Sequence, residues 1–376
     1  MLQSILVYFF MALSMFALAK VPVKRTVNGY VCLWSPSYKI RMILLFVIFA
    51  FFSGVRYDVG IDHLSYMSDY NTVMSRGWVY REDMEAGFVS FMLLFAQIGA
   101  HYAFFFGALA LVQIVTLYRA FRSERHILPY LGFLIITGGF YFFLMNGMRQ
   151  ALVITIFFAA IPLILKRKFL WYALVIALCY TFHKSAVLLL PLYFVTYLKL
   201  DKLMVPRLWQ LLLLIAGLAV SQLNLWQELL KYTNVIFQVM DYSRYEDANL
   251  IEDSRIENFG ARSIIYLLID LTMILLSPKL RKTFPSKMFG FCYLFYIVYF
   301  TMFPVFVSSM AFTRAVNYFA VCRPIVSAYG LFYLFKARKS TANTLIGCFI
   351  LLLYTAYLLI GIYSDSLTHN DCVVYN

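Results

Sequence analysis

The sequence predicts an all-α fold, a polytopic helical bundle embedded in a membrane. Hydrophobic residues make up 63% of the 376 residues and charged residues only 13%, and the mean hydropathy is +0.78. So little polar material cannot cover the surface of a water-soluble protein. Long apolar runs also recur throughout the chain, separated by short basic segments. We therefore expect a single membrane domain that covers residues 1–376.

The apolar runs define the expected spans. A hydrocarbon core about 30 Å thick is crossed by roughly 20 helical residues, or by fewer where polar flanks reach the headgroups. The first run lacks the positive flank of a cleaved signal peptide, which predicts a retained span. On this basis we expect about twelve transmembrane helices, at residues 2–19, 42–55, 102–120, 128–145, 149–165, 169–182, 185–198, 208–223, 263–277, 288–307, 314–335 and 342–362.

The basic residues indicate the side on which each connection lies. Connections assigned to one side hold 21 of the 32 Lys and Arg residues but only two of the 18 acidic residues, Glu124 and Asp201. The opposite side holds ten basic and fifteen acidic residues. Because cytoplasmic loops are enriched in Lys and Arg, the first side is cytoplasmic and both termini lie outside. Topology thus explains the formal charge of +14, and we expect no nucleic-acid partner.

Two outer connections are long enough to cover a site. Residues 56–100 and 224–262 are expected to form a substrate-facing cap. Within the first connection, the apolar segment 87–100 is only fourteen residues long, which predicts a re-entrant or interfacial segment near 87–100. The six cysteines show no CxxC or Cys/His spacing, so we expect neither a disulfide framework nor a metal site.

One pair of spans joins polar residues that are far apart in the sequence. Arg149 begins one apolar run, the basic cluster Lys166-Arg-Lys168 ends it, and His183 follows the next run. Two consecutive spans form a hairpin, so both of its open ends lie on the same face of the membrane. We therefore expect Arg149 and His183 on the outer side.

Arginine is the commonest unusual residue near that side. Arg56, Arg149 and Arg314 stand at outer helix ends, and Arg323 lies deeper in its span. A guanidinium presents a planar fork that matches phosphate oxygens, so several of them would suit a diphosphate. The outer arginines can instead reach the lipid headgroups. A buried Arg323 can pair with an acid such as Asp270.

Three residues are candidates for a general base. Asp58 and Asp62 follow Arg56 in the outer connection, and partial burial can raise the pKa of a carboxylate towards neutrality. His183 has a side chain whose reference pKa lies near working pH. The alternative for each residue is a solvated turn or an interfacial hydrogen bond. Glu85, which precedes the segment 87–100, is interpreted as a cap at the positive end of that helix.

Five motifs follow one another along the chain. They are Arg56-Tyr-Asp-Val-Gly-Ile-Asp-His-Leu-Ser-Tyr66, Glu85-Ala-Gly-Phe88, Met148-Arg-Gln-Ala-Leu152, Phe182-His-Lys-Ser-Ala186 and Phe312-Thr-Arg-Ala-Val-Asn-Tyr-Phe319. In this order they resemble the EpsG family, Wzy-type polymerases of bacterial exopolysaccharide or O-antigen. The resemblance covers roughly residues 56–319. It departs at Ile61, where the family typically has Thr, and at His63, where an aromatic residue is more common.

The resemblance implies a multi-pass glycosyltransferase of the bacterial cytoplasmic (inner) membrane with its active face outward. Its partners would be a polyprenyl diphosphate-linked oligosaccharide donor, a lipid-linked acceptor, membrane lipids and a chain-length regulator. No metal and no cofactor are implied. The candidate catalytic residues are Asp62, His183 and Asp58. The candidate contacts to diphosphate or glycan are Arg56, Arg149, Gln150, Lys184, Arg314, Tyr318 and Arg323.

Other membrane functions remain open at this point. A flippase or other transporter of lipid-linked oligosaccharide would need a charged path across the bilayer, whereas the unusual polar groups gather near one face. An O-antigen ligase would share the donor chemistry and differ in its acceptor. A membrane acyltransferase would need a cytoplasmic donor site, and the predicted outer position of His183 argues against it.

Overall fold

Helices dominate the computed structural model of the chain. It describes residues 1–26, 29–33, 35–78, 84–197, 199, 205–222, 260–307 and 310–368. The predicted outer connection 224–262 lies outside these residues except for its last three positions, so the substrate-facing cap stays a prediction. The chain divides into two compact units, residues 1–194 together with 351–376, and residues 195–350.

The first unit contains the larger set of helices. A two-stranded antiparallel hairpin, in which Val23 faces Cys32, lies between its first two helices. Its elements are α1 Leu2–Leu18, β1 Val23–Thr26, β2 Gly29–Cys32, α2 Tyr38–Val55, α3 His63–Arg76, α4 Ala86–Ala96, α5 Tyr102–Ala120, a 3-10 turn Arg125–Ile127, α6 Leu128–Thr137, α7 Phe140–Asn146, α8 Met148–Leu165, α9 Phe169–Tyr180 and a 3-10 helix Lys184–Thr196.

The second unit is also helical. The last helix of the chain, α15, begins in this unit and ends in the first. Its elements are α10 Arg207–Gln222, α11 Ala261–Thr283, α12 Lys287–Phe306, α13 Met310–Asn317, α14 Cys322–Phe332, a π turn Tyr333–Ala337 and α15 Thr341–Thr368.

Length and apolarity confirm the predicted class, an all-α membrane bundle. Among the described residues, seven helical segments are long and apolar enough to cross a bilayer, and α6 with α7 forms an eighth candidate that is bent by 65°. Four shorter apolar helices, α1, α9, the 3-10 helix and α10, coincide with shorter predicted spans. The total of about twelve stays a prediction.

Close backbone approach holds α2 against α5. A Cβ atom on Gly54 would lie 3.1 Å from the Cα of Gly107, and one on Gly107 would lie 3.2 Å from the carbonyl oxygen of Ala50. Small residues allow membrane helices to pack at this range, where the hydrophobic effect gives no driving force between helices. In the second unit, α10 approaches α12 in the same way, with a Cβ on Gly217 only 3.3 Å from the Cα of Thr301.

The apolar segment in the first outer connection forms the short helix α4. Its 11 residues span about 16 Å, too little to cross the hydrocarbon core. Phe88 and Met92 of α4 pack into a cluster with Tyr66 of α3 and Phe105 of α5. The helix thus fits the expected re-entrant or interfacial segment, and it carries Glu85 at its start.

A glycine pair breaks the span between α6 and α7. Gly139 has φ +77°, in the left-handed region that glycine adopts without strain. A Cβ atom there would lie 2.8 Å from the ring of Tyr357. The predicted continuous span 128–145 is therefore two helices. Glycine stands at the bend because the backbone there is left-handed and there is no room for a side chain.

Candidate functional site

The predicted hairpin places Arg149 and His183 at the same end. The helices α8 and α9 pack together and are joined by three residues, Lys166 to Lys168. Arg149 lies in the first turn of α8, and His183 follows the end of α9. The two side chains contact the same carboxylate, that of Glu85.

Glu85 uses both of its carboxylate oxygens. Its Oε2 accepts a hydrogen bond from Nη1 of Arg149 and forms an ion pair with it. Its Oε1 lies 3.0 Å from Nδ1 of His183 and accepts the main-chain N–H of Lys184 at 3.1 Å. Glu85 does occupy the N-cap position of α4, as the sequence analysis expected, but its side chain makes no capping hydrogen bond to that helix. It instead joins three segments that are distant in the sequence.

The contacts among these side chains are shielded from solvent. The side chains of Arg149, Glu85 and His183 are 14%, 7% and 9% exposed. Burial raises the pKa of Glu85, but the hydrogen bond to His183 and the charge of Arg149 outweigh it and lower that pKa to about 2. Glu85 is therefore an anion at neutral pH and only accepts hydrogen bonds. Nδ1 of His183 consequently carries the proton in this contact, which leaves Nε2 as the basic nitrogen of the neutral ring.

The backbone fixes the distance between Glu85 and His183. The N–H of Gly87 donates to the carbonyl oxygen of Thr181 at 2.8 Å, which ties the first turn of α4 to the end of α9. A Cβ atom on Gly87 would lie 2.7 Å from that oxygen. Glycine is required here because α4 and α9 approach so closely.

A tyrosine from α3 completes the surroundings of Arg149. The guanidinium of Arg149 donates a hydrogen bond to the hydroxyl oxygen of Tyr66, whose ring lies in the apolar cluster with Phe88 and Met148. Gln150 is buried next to Arg149, whereas Lys184 is half-buried. The sequence analysis missed the roles of Tyr66 and Glu85, although both residues lie within motifs that it had singled out.

Arg56 lies in a different environment from the one expected. It is only 2% exposed, and its Nη2 donates to the carbonyl oxygen of Met145 at 2.9 Å. The guanidinium also lies over the ring of Phe106, 5.4 Å from its centroid. Met145 is near the end of α7, where main-chain carbonyls lose their helical partners. Arg56 therefore stabilises the end of α7, just before the short connection to α8, the helix that carries Arg149.

The two candidate aspartates lie in the turn that follows Arg56. Asp58 has a positive φ of 51°, and its N–H donates to Nδ1 of His63 at 3.2 Å. Asp62 is exposed at the start of α3. Burial, and secondly the charge of Arg56, lower the pKa of His63 to about 4, so this histidine is neutral at physiological pH. The structure thus gives Asp58 and His63 a part in shaping the turn.

The second unit contains the remaining candidates. Arg323 donates to both carboxylate oxygens of Asp270, through Nε at 3.0 Å and Nη2 at 2.8 Å, which confirms the alternative predicted for it. Its guanidinium lies 4.0 Å from the ring centroid of Tyr266 and 4.8 Å from that of Tyr299. Arg314 is half-buried in α13, and Tyr318 is almost fully buried just after it.

The comparison with protein families decides the classification. The model of the EpsG family matches residues 39–376, nearly the whole chain. The chain belongs to the EpsG family. No curated protein and no solved structure gives a significant match to it.

Membership in the EpsG family identifies the kind of protein. The family is associated with Wzy-type polymerases, so this EpsG protein is a membrane protein of the polysaccharide-polymerase type. The match includes Glu85, Arg149 and His183 and extends through both units. Among the residues that the structure describes, no three His, Cys, Asp or Glu side chains are grouped so that they could hold a metal ion.

Proposed function

We propose that this EpsG protein polymerises lipid-linked oligosaccharide repeat units at the outer face of the cytoplasmic membrane. It would transfer a growing glycan from a polyprenyl diphosphate carrier to the acceptor sugar of another lipid-linked repeat unit. The observation that carries this proposal is the contact of Arg149 and His183 with Glu85. An anion-binding group and a base, held side by side, are what such a transfer needs.

Arg149 would bind the diphosphate of the donor. A guanidinium remains charged at all relevant pH values and matches phosphate oxygens with two parallel hydrogen bonds. Negative charge grows on the diphosphate as the sugar departs, and a fixed cation in a shielded site stabilises it. The half-buried Lys184 and the buried Gln150 are the neighbours that could add donors. Arg314 and Tyr318 of the second unit remain proposed contacts to diphosphate or glycan.

His183 would activate the hydroxyl of the acceptor sugar. Glu85 fixes the imidazole tautomer, so that Nε2 can accept the hydroxyl proton while the carboxylate stabilises the imidazolium that forms. This arrangement favours His183 over Asp62, whose side chain is exposed at the start of α3. The scheme has no step that needs a metal ion or a cofactor.

Deletion of the gene, followed by complementation and gel analysis of surface glycan, tests the function. We expect loss of long chains, with single-repeat material retained on its final acceptor. Loss of every surface form would instead identify a flippase. Polymer that accumulates on the carrier beside an undecorated acceptor would identify a ligase.

Point variants test the assigned roles in the same assay. Arg149→Lys keeps the charge but loses the planar fork, and should reduce polymerisation by roughly 100-fold or more without changing protein abundance. Arg167→Lys is the matched control, since Arg167 is exposed at the other end of the same hairpin. His183→Asn should reduce the rate by roughly 100-fold or more. A larger loss in Asp62→Asn than in His183→Asn would transfer the role of base to Asp62.

A further inference from the structure

Glu85 is shared between two side chains with different proposed tasks. Its Oε2 faces Arg149, the proposed ligand of the diphosphate, and its Oε1 faces Nδ1 of His183, the proposed base, at 3.0 Å. A single buried carboxylate thus divides its charge between both halves of the site. A change at one of these two side chains must therefore alter the electrostatic environment of the other.

Binding of a diphosphate would change this division. The diphosphate group carries more negative charge than a carboxylate and offers more oxygens to a guanidinium, so it competes with Glu85 for Arg149. As Arg149 turns towards the diphosphate, its hold on Oε2 weakens. The contacts at Oε1 with His183 and with the N–H of Lys184 do not involve Arg149, so they persist. The negative charge of Glu85 then acts on His183 with less offset from the positive charge of Arg149.

We propose that Glu85 couples donor binding to activation of the base: capture of Arg149 by the diphosphate of the donor commits Glu85 to His183. This inference rests on the proposed function and adds that donor binding comes before activation of the base. Without donor, the positive charge of Arg149 offsets Glu85 and His183 is a weaker base. With donor in place, Glu85 stabilises a protonated His183, so the acceptor hydroxyl is deprotonated only when there is a sugar to receive it.

The step balances without any further reactant. The acceptor oxygen forms a bond to the anomeric carbon of the donor sugar as its proton passes to Nε2 of His183. The bond from that carbon to the diphosphate oxygen breaks, and its electron pair leaves with the diphosphate, held by Arg149. Among the described residues, the charged and titratable groups shown near His183 are Glu85 at the start of α4, Arg149 on α8, Lys184 on the 3-10 helix, Cys179 on α9, and Tyr66 of α3 through Arg149.

The pH at which His183 takes up a proton reports this coupling. We would label the histidines of the full-length protein isotopically, follow their ring nitrogens by NMR in detergent over a range of pH with and without saturating farnesyl diphosphate, and assign His183 from the signal that disappears in His183→Asn. In the wild-type, unmodified protein, farnesyl diphosphate should raise the pH at the midpoint of His183 protonation by about one unit or more. The exposed His101 is the internal control, and its midpoint should not move.

Glu85→Gln separates the relay from a direct effect of the ligand charge. Farnesyl diphosphate should raise the midpoint in this variant by less than half as much as in the unmodified protein. An equal rise of the His183 midpoint in both proteins would overturn the coupling, but it would leave the proposal of a diphosphate site intact. No displacement in either protein, together with no loss of farnesyl diphosphate binding in Arg149→Lys, would overturn the proposed function as well.

A second variant keeps the test decisive if Glu85→Gln fails to fold. Arg149→Gln removes the competing cation and retains Glu85 and His183. Its midpoint should already be raised without ligand, and farnesyl diphosphate should not raise it further. A ligand-free midpoint equal to that of the unmodified protein would overturn the coupling, since a purely structural Arg149–Glu85 pair would leave the basicity of His183 unchanged.

Discussion

Gly87→Ala is predicted to damage activity by moving Glu85 away from His183. The added Cβ atom would lie 2.7 Å from the carbonyl oxygen of Thr181, whereas ordinary contacts begin at 3.4 Å, so the start of α4 must retreat by about 0.7 Å. The distance between Oε1 of Glu85 and Nδ1 of His183 is 3.0 Å, and the same retreat would take it beyond hydrogen-bonding range. A misplacement of about 1 Å at a reacting group can reduce the rate about 100-fold.

Chain length of the surface glycan, measured on a gel at equal protein abundance, would show this loss. Ala86→Ser is the matched control, because it adds one atom in the same turn of α4 on an exposed side and should give wild-type chains. Alanine also has a higher helix propensity than glycine, by up to about 1 kcal/mol. If Gly87→Ala left activity intact and raised thermal stability, the close approach of α4 to Thr181 would not be what positions Glu85.

Three further predictions concern stability, each measured by thermal unfolding in detergent. Asp270→Leu leaves a buried charge on Arg323 and should cost about 3–5 kcal/mol, whereas the double variant Asp270→Leu/Arg323→Met should recover most of it; a double variant as unstable as the single one would contradict this. Arg56→Met removes the donor to the carbonyl of Met145 and should lower the free energy of unfolding by about 2 kcal/mol. A loss of activity without destabilisation would instead indicate a direct catalytic role. The pKa of Glu85 lies near 2 instead of 4.5, so its ionised form stabilises the folded state above pH 4.5 and this contribution is lost as pH falls towards 2. The stability difference between the unmodified protein and Glu85→Gln should therefore shrink from neutral pH to about pH 3, and a constant difference would contradict the shifted pKa.

Much of the fold could be predicted from the sequence because apolar runs report membrane helices directly. The pairing of Arg149 with His183 at one end followed from the alternation of spans, and the pair of Arg323 with Asp270 followed from the cost of a lone charge in the bilayer. Both inferences needed only topology and burial.

Other features depend on contacts for which the sequence provides no local signal. Glu85 stands at a helix start, where capping is a sufficient local explanation, and its partners lie 64 and 98 residues away. Arg56 ends a helix, where contact with headgroups or with a diphosphate was expected, and the break after α7 supplies a buried carbonyl for it. Two features did have signals: the Gly138-Gly139 pair inside an apolar run, and the Asn28-Gly29 dipeptide typical of a β-hairpin.

The order of residues in the two ion-paired sites bears on how the chain is made. Glu85 precedes Arg149 and His183, and Asp270 precedes Arg323, so each acid leaves the ribosome before the base that it will meet. The partners of Glu85 among the described residues lie within the first 194 residues, in one compact unit. Residues 1–194 can thus pair Glu85 with Arg149 and His183 while the rest of the chain is still being translated, and in neither site does the basic residue precede its acid.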